Sequence, residues 1–339
     1  RNSARGRRRS RSSMRRFARS ALAVVALAGV VPAFAAPEAA KPPSISAIAS
    51  EPATLKAYNR PIAEFRASLL GFQPAERVAR AQEAMYTAAA TMPSPGVTVL
   101  RQQFMVSRFG GNPESESRAT TQYESSTLLS YGIVRALAVT VELPAYLRTD
   151  EFEAPRGDDH DRGIGDIEVT FKHRVYKDDT GGVNTLRVAI LGGAGIASGD
   201  DHDFSSTSVN PFVGGVLTLV RGRHGFNQDL MFRWNTGGDL DSNLGGEGPS
   251  DVVRADTAYL YRVYPDRFNA ESVGAWYATA EVNAMLETNA DLDARLGLGL
   301  MYEGPRWALE FMGQLPLYQN VDHRGEFRWG LGMGVRFIF

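Results

Sequence analysis

The sequence predicts an all-β protein: a transmembrane antiparallel β-barrel of about twelve strands, with a short periplasmic α/β segment at its N-terminus. Three observations lead there. From about Pro95 onward apolar residues recur at every second position over stretches of roughly 10 to 14 residues, and about 9–11 tilted strand residues cross a bilayer's hydrocarbon. The connections between these stretches alternate between short turns and long polar loops, as in outer-membrane barrels. An export-type leader stands near the N-terminus.

The leader is justified by charge and apolar length. Arg15, Arg16 and Arg19 follow Met14, residues 21–31 are apolar, and Ala33-Phe34-Ala35 supplies the small residues of a cleavage site before Ala36. Residues 1–35 are therefore expected to be upstream sequence plus a cleaved signal peptide starting at Met14. The apolar run is well short of the ~20 residues of a membrane-spanning helix. Nine of the 37 Lys+Arg precede residue 36, which leaves 28 bases against 38 acids, a net of −10, in the body. An acidic body behind a basic leader speaks for export to the outer membrane of a Gram-negative bacterium and against nucleic-acid binding. With no Cys, a disulfide framework, a thiolate metal site and a Cys nucleophile are all excluded.

Residues 36–94 read as a Pro/Ala-rich linker followed by a small periplasmic strand–helix segment. Residues 62–70 suit a strand, and Pro74 opens a helix with Val78, Ala81 and Met85 on one face. Asn59-Arg60-Pro61-Ile62 with Phe65-Arg66-Ala67 resembles the extracytoplasmic start of some mechanosensitive-channel proteins over some thirty residues. The plainer reading of this segment is a periplasmic adapter or partial plug.

Residues 95–339 form the expected barrel. Its twelve stretches lie near 96–107, 119–132, 137–149, 163–177, 184–198, 209–221, 226–236, 251–263, 274–287, 292–302, 306–319 and 326–339. The 133–136 and 303–305 connections are short, whereas 150–162, 199–208 and 237–250 are long and rich in Gly, Asp and Ser. The alternation slips only around 264–273 and in the short connection after 287. A membrane barrel turns its apolar face to lipid and its polar face to the lumen. The polar face here carries Glu142, Asp166, Glu168, Lys172, Arg174, Arg187, Arg233, Arg254, Asp256, Glu281 and Arg336, the candidate lumen and selectivity residues. Lys172 and Arg174 share a parity with Asp166 and Glu168, so all four are expected to point inward. Pairing across the barrel, with Glu142 or Arg187, is then expected, since a buried charge without a partner is costly. Gly297, Gly299, Gly330 and Gly332 lie on the same face and would leave a dry core thin. Tyr259, Tyr261, Tyr264, Trp276, Tyr302 and Trp307 cluster near strand ends as interfacial girdles do. Phe339, at the end of an alternating run, has the form of an insertion signal.

Two motifs stand out. Gly163-Ile164-Gly165-Asp166-Ile167-Glu168 runs into Phe171-Lys172-His173-Arg174-Val175. It is flanked by Tyr131-Gly132, Leu143-Pro144 and a run from Leu191-Gly192-Gly193 to Gly199-Asp200. This series, with the aromatic C-terminus, resembles the outer-membrane transporters of the MetA-pathway phenol-degradation family over about 95–339. It departs from them at His173, where Tyr is usual. The resemblance implies a hairpin barrel that passes small molecules, aromatic ones among them, with no catalytic residue to carry over. The second motif is a repeated Asp-His cluster: Asp158 and His160, Asp201 and His202, and His323, each in a predicted external loop. Imidazole and carboxylate together can hold a divalent cation, although acidic loops are more often simply solvated.

The function expected is passive uptake of small solutes down a narrow or partly plugged lumen, without cofactor or catalytic residues. The partners expected are outer-membrane lipid, lipopolysaccharide, the barrel-insertion machinery and the solute itself. The alternative is a non-conducting anchored barrel whose acidic external loops bind a partner, a divalent cation or lipopolysaccharide. A barrel lipase would need a Ser beside His173, and strand register decides whether one is there.

Overall fold

The structure, a computed structural model, describes residues 83–113, 116–180, 183–200, 204–237, 244–246, 248–268 and 272–339. The leader, the linker and most of the strand–helix unit lie outside the described residues, as do Asp201 and His202. Thirteen strands follow in chain order: β1 (Thr98–Phe109), β2 (Ala119–Val134), β3 (Leu137–Glu151), β4 (Asp159–Ile164), β5 (Ile167–Thr180), β6 (Asn184–Ile196), β7 (Asn210–Arg221), β8 (His224–Arg233), β9 (Val252–Tyr264), β10 (Ala275–Glu287), β11 (Leu292–Glu303), β12 (Trp307–Asn320) and β13 (Phe327–Ile338). All pairings are antiparallel, and β1 pairs with both β2 and β13, which closes the sheet.

β4 and β5 share one place in the wall. Ala145–Asp150 of β3 pair with β4, and Leu137–Glu142 pair with β5. They make one span broken at Gly165-Asp166, so the barrel has the expected twelve. The break faces Pro144, which has no N–H to give to a ladder. The Gly165 N–H still donates to the Pro144 carbonyl at 3.0 Å.

β1 starts and β13 finishes at the same end of the barrel, together with the 135–136, 222–223 and 304–306 turns. The long polar loops lie at the other end. Period-two alternation places Phe104, Phe171, Leu230, Leu298, Phe311 and Leu331 on the outer face, all exposed. Arg101, Arg187, Asp229, Glu281 and Glu310 are buried inside. Lipid accepts such an apolar exterior, and every wall strand meets its backbone hydrogen bonds through its two neighbours. No helix among the described residues is long and apolar enough to cross a membrane; the strands do the crossing.

The expected girdle is visible at the short-turn end. Trp276 packs on Tyr302, and Tyr302 on Trp307, each with ring centroids 5.0 Å apart. His224 Nδ1 and the Tyr259 hydroxyl share a hydrogen bond of 2.6 Å. The barrel seam runs to the last residue: the Phe339 N–H donates to Thr98 O at 2.9 Å, and the Thr98 N–H donates to Phe339 O at 3.3 Å. Deleting Phe339 removes both bonds and the terminal aromatic. If Phe339 also serves as the insertion signal, the truncated chain will give a much weaker heat-modifiable band in membrane fractions. An undiminished band would leave it with no role in assembly.

Candidate functional site

Strand parity turns a ring of polar side chains into the lumen, and part of the chain itself occupies that lumen. Residues 83–94 rise from the short-turn end to the level of Glu281 and return to start β1. The expected helix through Met85 does not form here; these residues are bends and extended chain. Their backbone groups bond to the wall instead of to one another. Glu281, fully buried in mid β10, accepts the N–H groups of Met85, Tyr86 and Thr87 at 2.9, 3.1 and 2.9 Å, and the Thr87 hydroxyl at 2.9 Å. The Ala88 N–H donates to Asp229 at 2.7 Å and the Ala90 N–H to Thr218 Oγ1 at 2.8 Å. The carbonyls are met by cations: Ala84 O accepts from Arg101 at 2.9 Å and Ala89 O from Lys172 Nζ at 2.8 Å. Backbone groups taken out of water need such partners.

Small residues make room for this plug. Ala84 packs on Ala258, Leu260, Tyr277 and Met301, and Ala90 on Ala189, Leu191 and Val216. A Cβ on Gly332 would lie 2.8 Å from Met85 Sδ, and one on Gly132 would lie 2.1 Å from Ser94 O. Of the inward glycines expected to thin a core, Gly332 thus helps to seat a segment of chain.

Two cavities lie inside the barrel among the described residues. One of about 100 Å³ lies at the short-turn end, bordered by Glu83, Thr91, Arg101, Lys172 and Arg336. The other, about 350 Å³, is a chamber above Tyr86. Its wall holds Glu124, Glu142, Glu168, Asp256 and Asp293 with Arg233, Arg254 and Arg295. Each arginine is paired: Arg233 with Glu168, Arg254 with Asp256 at 2.8 Å, and Arg295 with Asp293 at 2.6 Å. Glu124 and Glu142 add carboxylates beyond these pairs; Glu124 accepts the Ser126 hydroxyl at 3.0 Å.

The loops roof the chamber. Asp166, at the break between β4 and β5, accepts the N–H groups of Ser198 and Gly199 at 3.1 Å and of Ser206 at 2.9 Å. It also accepts the hydroxyls of Ser205 and Ser206 at 2.7 and 2.6 Å. Phe204 is thereby carried inward onto Tyr146. A Cβ on Gly163 would lie 2.5 Å from the Phe204 ring, and one on Gly165 2.6 Å from the Tyr146 ring. The Gly-Ile-Gly-Asp motif is therefore a loop anchor: its glycines clear space for two rings, and its Asp collects the donors of the 197–209 connection. Leu244, from the 234–251 connection, packs on Phe109 and Phe327. Buried Arg324 lies between Glu287 at 3.4 Å and Asp293 at 3.7 Å, and donates to Leu244 O at 3.4 Å.

Of the candidate lumen residues, Glu142, Glu168, Arg233, Arg254 and Asp256 border the chamber, and Asp166 anchors its roof. Lys172, Glu281 and Arg336 hold the plug. Arg336 joins Glu310 at 3.0 Å and Glu83 at 3.6 Å, and Glu310 also takes Arg101 at 2.7 Å. Arg187 pairs with Asp179 on the adjacent strand at 3.1 Å. Two expectations are corrected. Arg174 keeps the inward parity of Lys172, opposite Ala189, but its guanidinium turns to the short-turn end and donates to Arg135 O in the 133–136 turn at 2.5 Å. Lys172 does not pair with Glu142, because the plug's carbonyls and Glu83, at 3.7 Å, take its charge. Arg101, Asp229 and Glu310 around the plug, and Glu124, Asp293 and Arg295 in the chamber wall, are site residues that the sequence reading missed; their inward parity was the available signal.

The Asp-His loops do not converge among the described residues. His160 Nδ1 bonds the Thr149 hydroxyl at 3.0 Å, His323 pairs with Asp291 at 3.0 Å, and Asp158 is exposed. No group of three His, Asp or Glu placed to hold a metal occurs among the described residues. His173 faces outward, opposite Leu137 on one side and Ile190 on the other, so neither directly opposed residue is a Ser.

A closed twelve-span antiparallel barrel with an apolar exterior and a charged interior defines the protein as an outer-membrane-type β-barrel. The family described as "Putative MetA-pathway of phenol degradation" matches residues 110–327, and the chain belongs to it. Among solved structures it is similar to the COG4313 outer membrane channel from Pseudomonas putida F1. The identity is 12%, covering 76% of this chain and 98% of that one, with a TM-score of 0.50. The likeness is one of fold. The beta domain of the Bordetella autotransporter BrkA shares 10% identity over 72% of this chain and 100% of its own, with a TM-score of 0.43. No curated protein matches the chain.

Proposed function

We propose that the protein is an outer-membrane channel for passive entry of small solutes, held at low conductance by its own residues 83–94. The observation that carries this reading is a chamber of about 350 Å³ inside a closed barrel, with a polar wall and a floor formed at Tyr86 by the chain's own lumen segment. Both limbs of the plug reach the short-turn end, so it can withdraw as a loop without unthreading. Solute class follows from the wall. Glu124 and Glu142 offer acceptors to hydroxyl or ammonium donors, and Tyr86, Tyr146 and Phe204 offer ring faces. The family and its phenol-degradation description support hydroxylated aromatic molecules as the solutes.

The test is reconstitution into planar bilayers and liposomes. Small conductance steps, a preference for cations over anions in a salt gradient, and loss of that preference in Glu124→Gln are expected. The non-conducting anchor is favoured by the interior ion pairs Arg101–Glu310–Arg336, which lock the lower lumen. It would be established by bilayers that stay silent even when the plug is cut away.

A further inference from the structure

Phe204 is a chain-borne ring in a site shaped for a ring. It is buried, stacks on Tyr146 with centroids 5.5 Å apart and planes 10° apart, and lies 5.0 Å from the Arg148 guanidinium carbon. A parallel aromatic face and a planar cation are the two partners that recognise a π system over an aliphatic group of the same size. Gly163 leaves flat space there, since a Cβ would meet the Phe204 ring at 2.5 Å. Tyr146 and Arg148 belong to β3 and are fixed by the wall, whereas Phe204 is attached beside Ser205 and Ser206 through hydrogen bonds to Asp166. The cradle is therefore rigid, and its occupant can be exchanged without parting any strand. Tyr146 and Phe204 both border the chamber.

We infer that Tyr146 and Arg148 form a binding seat for a planar aromatic ring of a small solute, and that Phe204 fills this seat when no solute is present. The inference deepens the channel reading and rests on it for how a solute reaches the chamber. An incoming ring competes with Phe204, so its apparent affinity is reduced by the fraction of time the seat is taken.

The test uses the purified full-length protein in detergent, titrated with phenol and with cyclohexanol, which has the same hydroxyl and no π face, under ligand-observed NMR. Phenol is expected to bind more tightly than cyclohexanol by roughly three- to tenfold, the range of a ring stack with a nearby cation. Phe204→Ala should strengthen phenol binding by about tenfold by vacating the seat, and Phe204→Leu, which keeps volume without a π face, should do so by less. Tyr146→Leu should abolish the difference between the two probes. Heat-modifiable migration of each variant shows that the barrel is intact. Equal affinities in the wild type, or no gain in Phe204→Ala, would overturn the seat. Ring discrimination in a protein that never conducts would overturn the channel and leave the seat; a conducting channel blind to the ring would do the reverse.

Discussion

Glu281→Gln is expected to raise single-channel conductance several-fold while leaving the barrel assembled. The carboxylate gathers four donors from three consecutive plug residues. An amide of the same shape keeps one acceptor oxygen and turns an N–H₂ towards groups that also donate. Hydrogen bonds to a charged group contribute about 1.5–3 kcal/mol each, and buried donors left without an acceptor add a penalty. A net loss of about 3 kcal/mol shifts the ratio of seated to withdrawn plug roughly 100-fold. The wall does not share the loss, because the β10 ladder runs through backbone groups of Glu281 and not its side chain. A variant lacking residues 83–92 supplies the plug-free reference. Planar-bilayer recordings of the three proteins measure the effect. If the deletion opens the pore and Glu281→Gln stays at the wild-type level, Lys172, Asp229 and Arg101 hold the plug without Glu281. If neither opens, the plug is not what closes the lumen.

The fold was legible because one rule governs every strand. In a barrel between lipid and lumen, alternation assigns each side chain a face, so Glu281, Arg254 and Arg336 could be placed inside from parity alone. Their partners could not be. Glu281 meets Met85 across 196 residues of sequence, and the donors are backbone N–H groups, which have no residue-type signature. Arg174 shows a related limit: its parity is inward, opposite Ala189, but the acceptor its guanidinium finds is a turn carbonyl, that of Arg135, which parity does not reveal. Gly332 shows a third limit. A missing side chain is visible in sequence, but what fills its space is not, and here Met85 does. The Gly-Ile-Gly-Asp motif could be recognised as a likeness before its role was apparent, because that role depends on a connection some forty residues further along.

Asp166→Ala is expected to change conductance little alone and substantially once the plug is released. Its carboxylate accepts five donors from residues 198–206, and with it gone those groups return to water while Phe204 loses the attachment that holds it over Tyr146. The bonds join a loop to the wall and not strand to strand, so the barrel's heat resistance should move far less than the loop does. Loss of several charge-assisted bonds exceeds about 3 kcal/mol, enough to leave the roof mostly detached. Roof and plug are constrictions in series, however, and resistances in series add. With the plug seated, removing the smaller resistance is hardly seen; in Glu281→Gln the roof becomes limiting, and the second substitution should then raise conductance again by about twofold or more, following the same population shift. The combination is measured by recording both single variants and the double variant in one bilayer system, with protease cleavage in the 197–209 connection as an independent report on the loop. Cleavage that rises in Asp166→Ala while its conductance stays low is the expected pattern. Asp166→Ala alone reaching the Glu281→Gln level would show that the roof, not residues 83–94, sets the closed state.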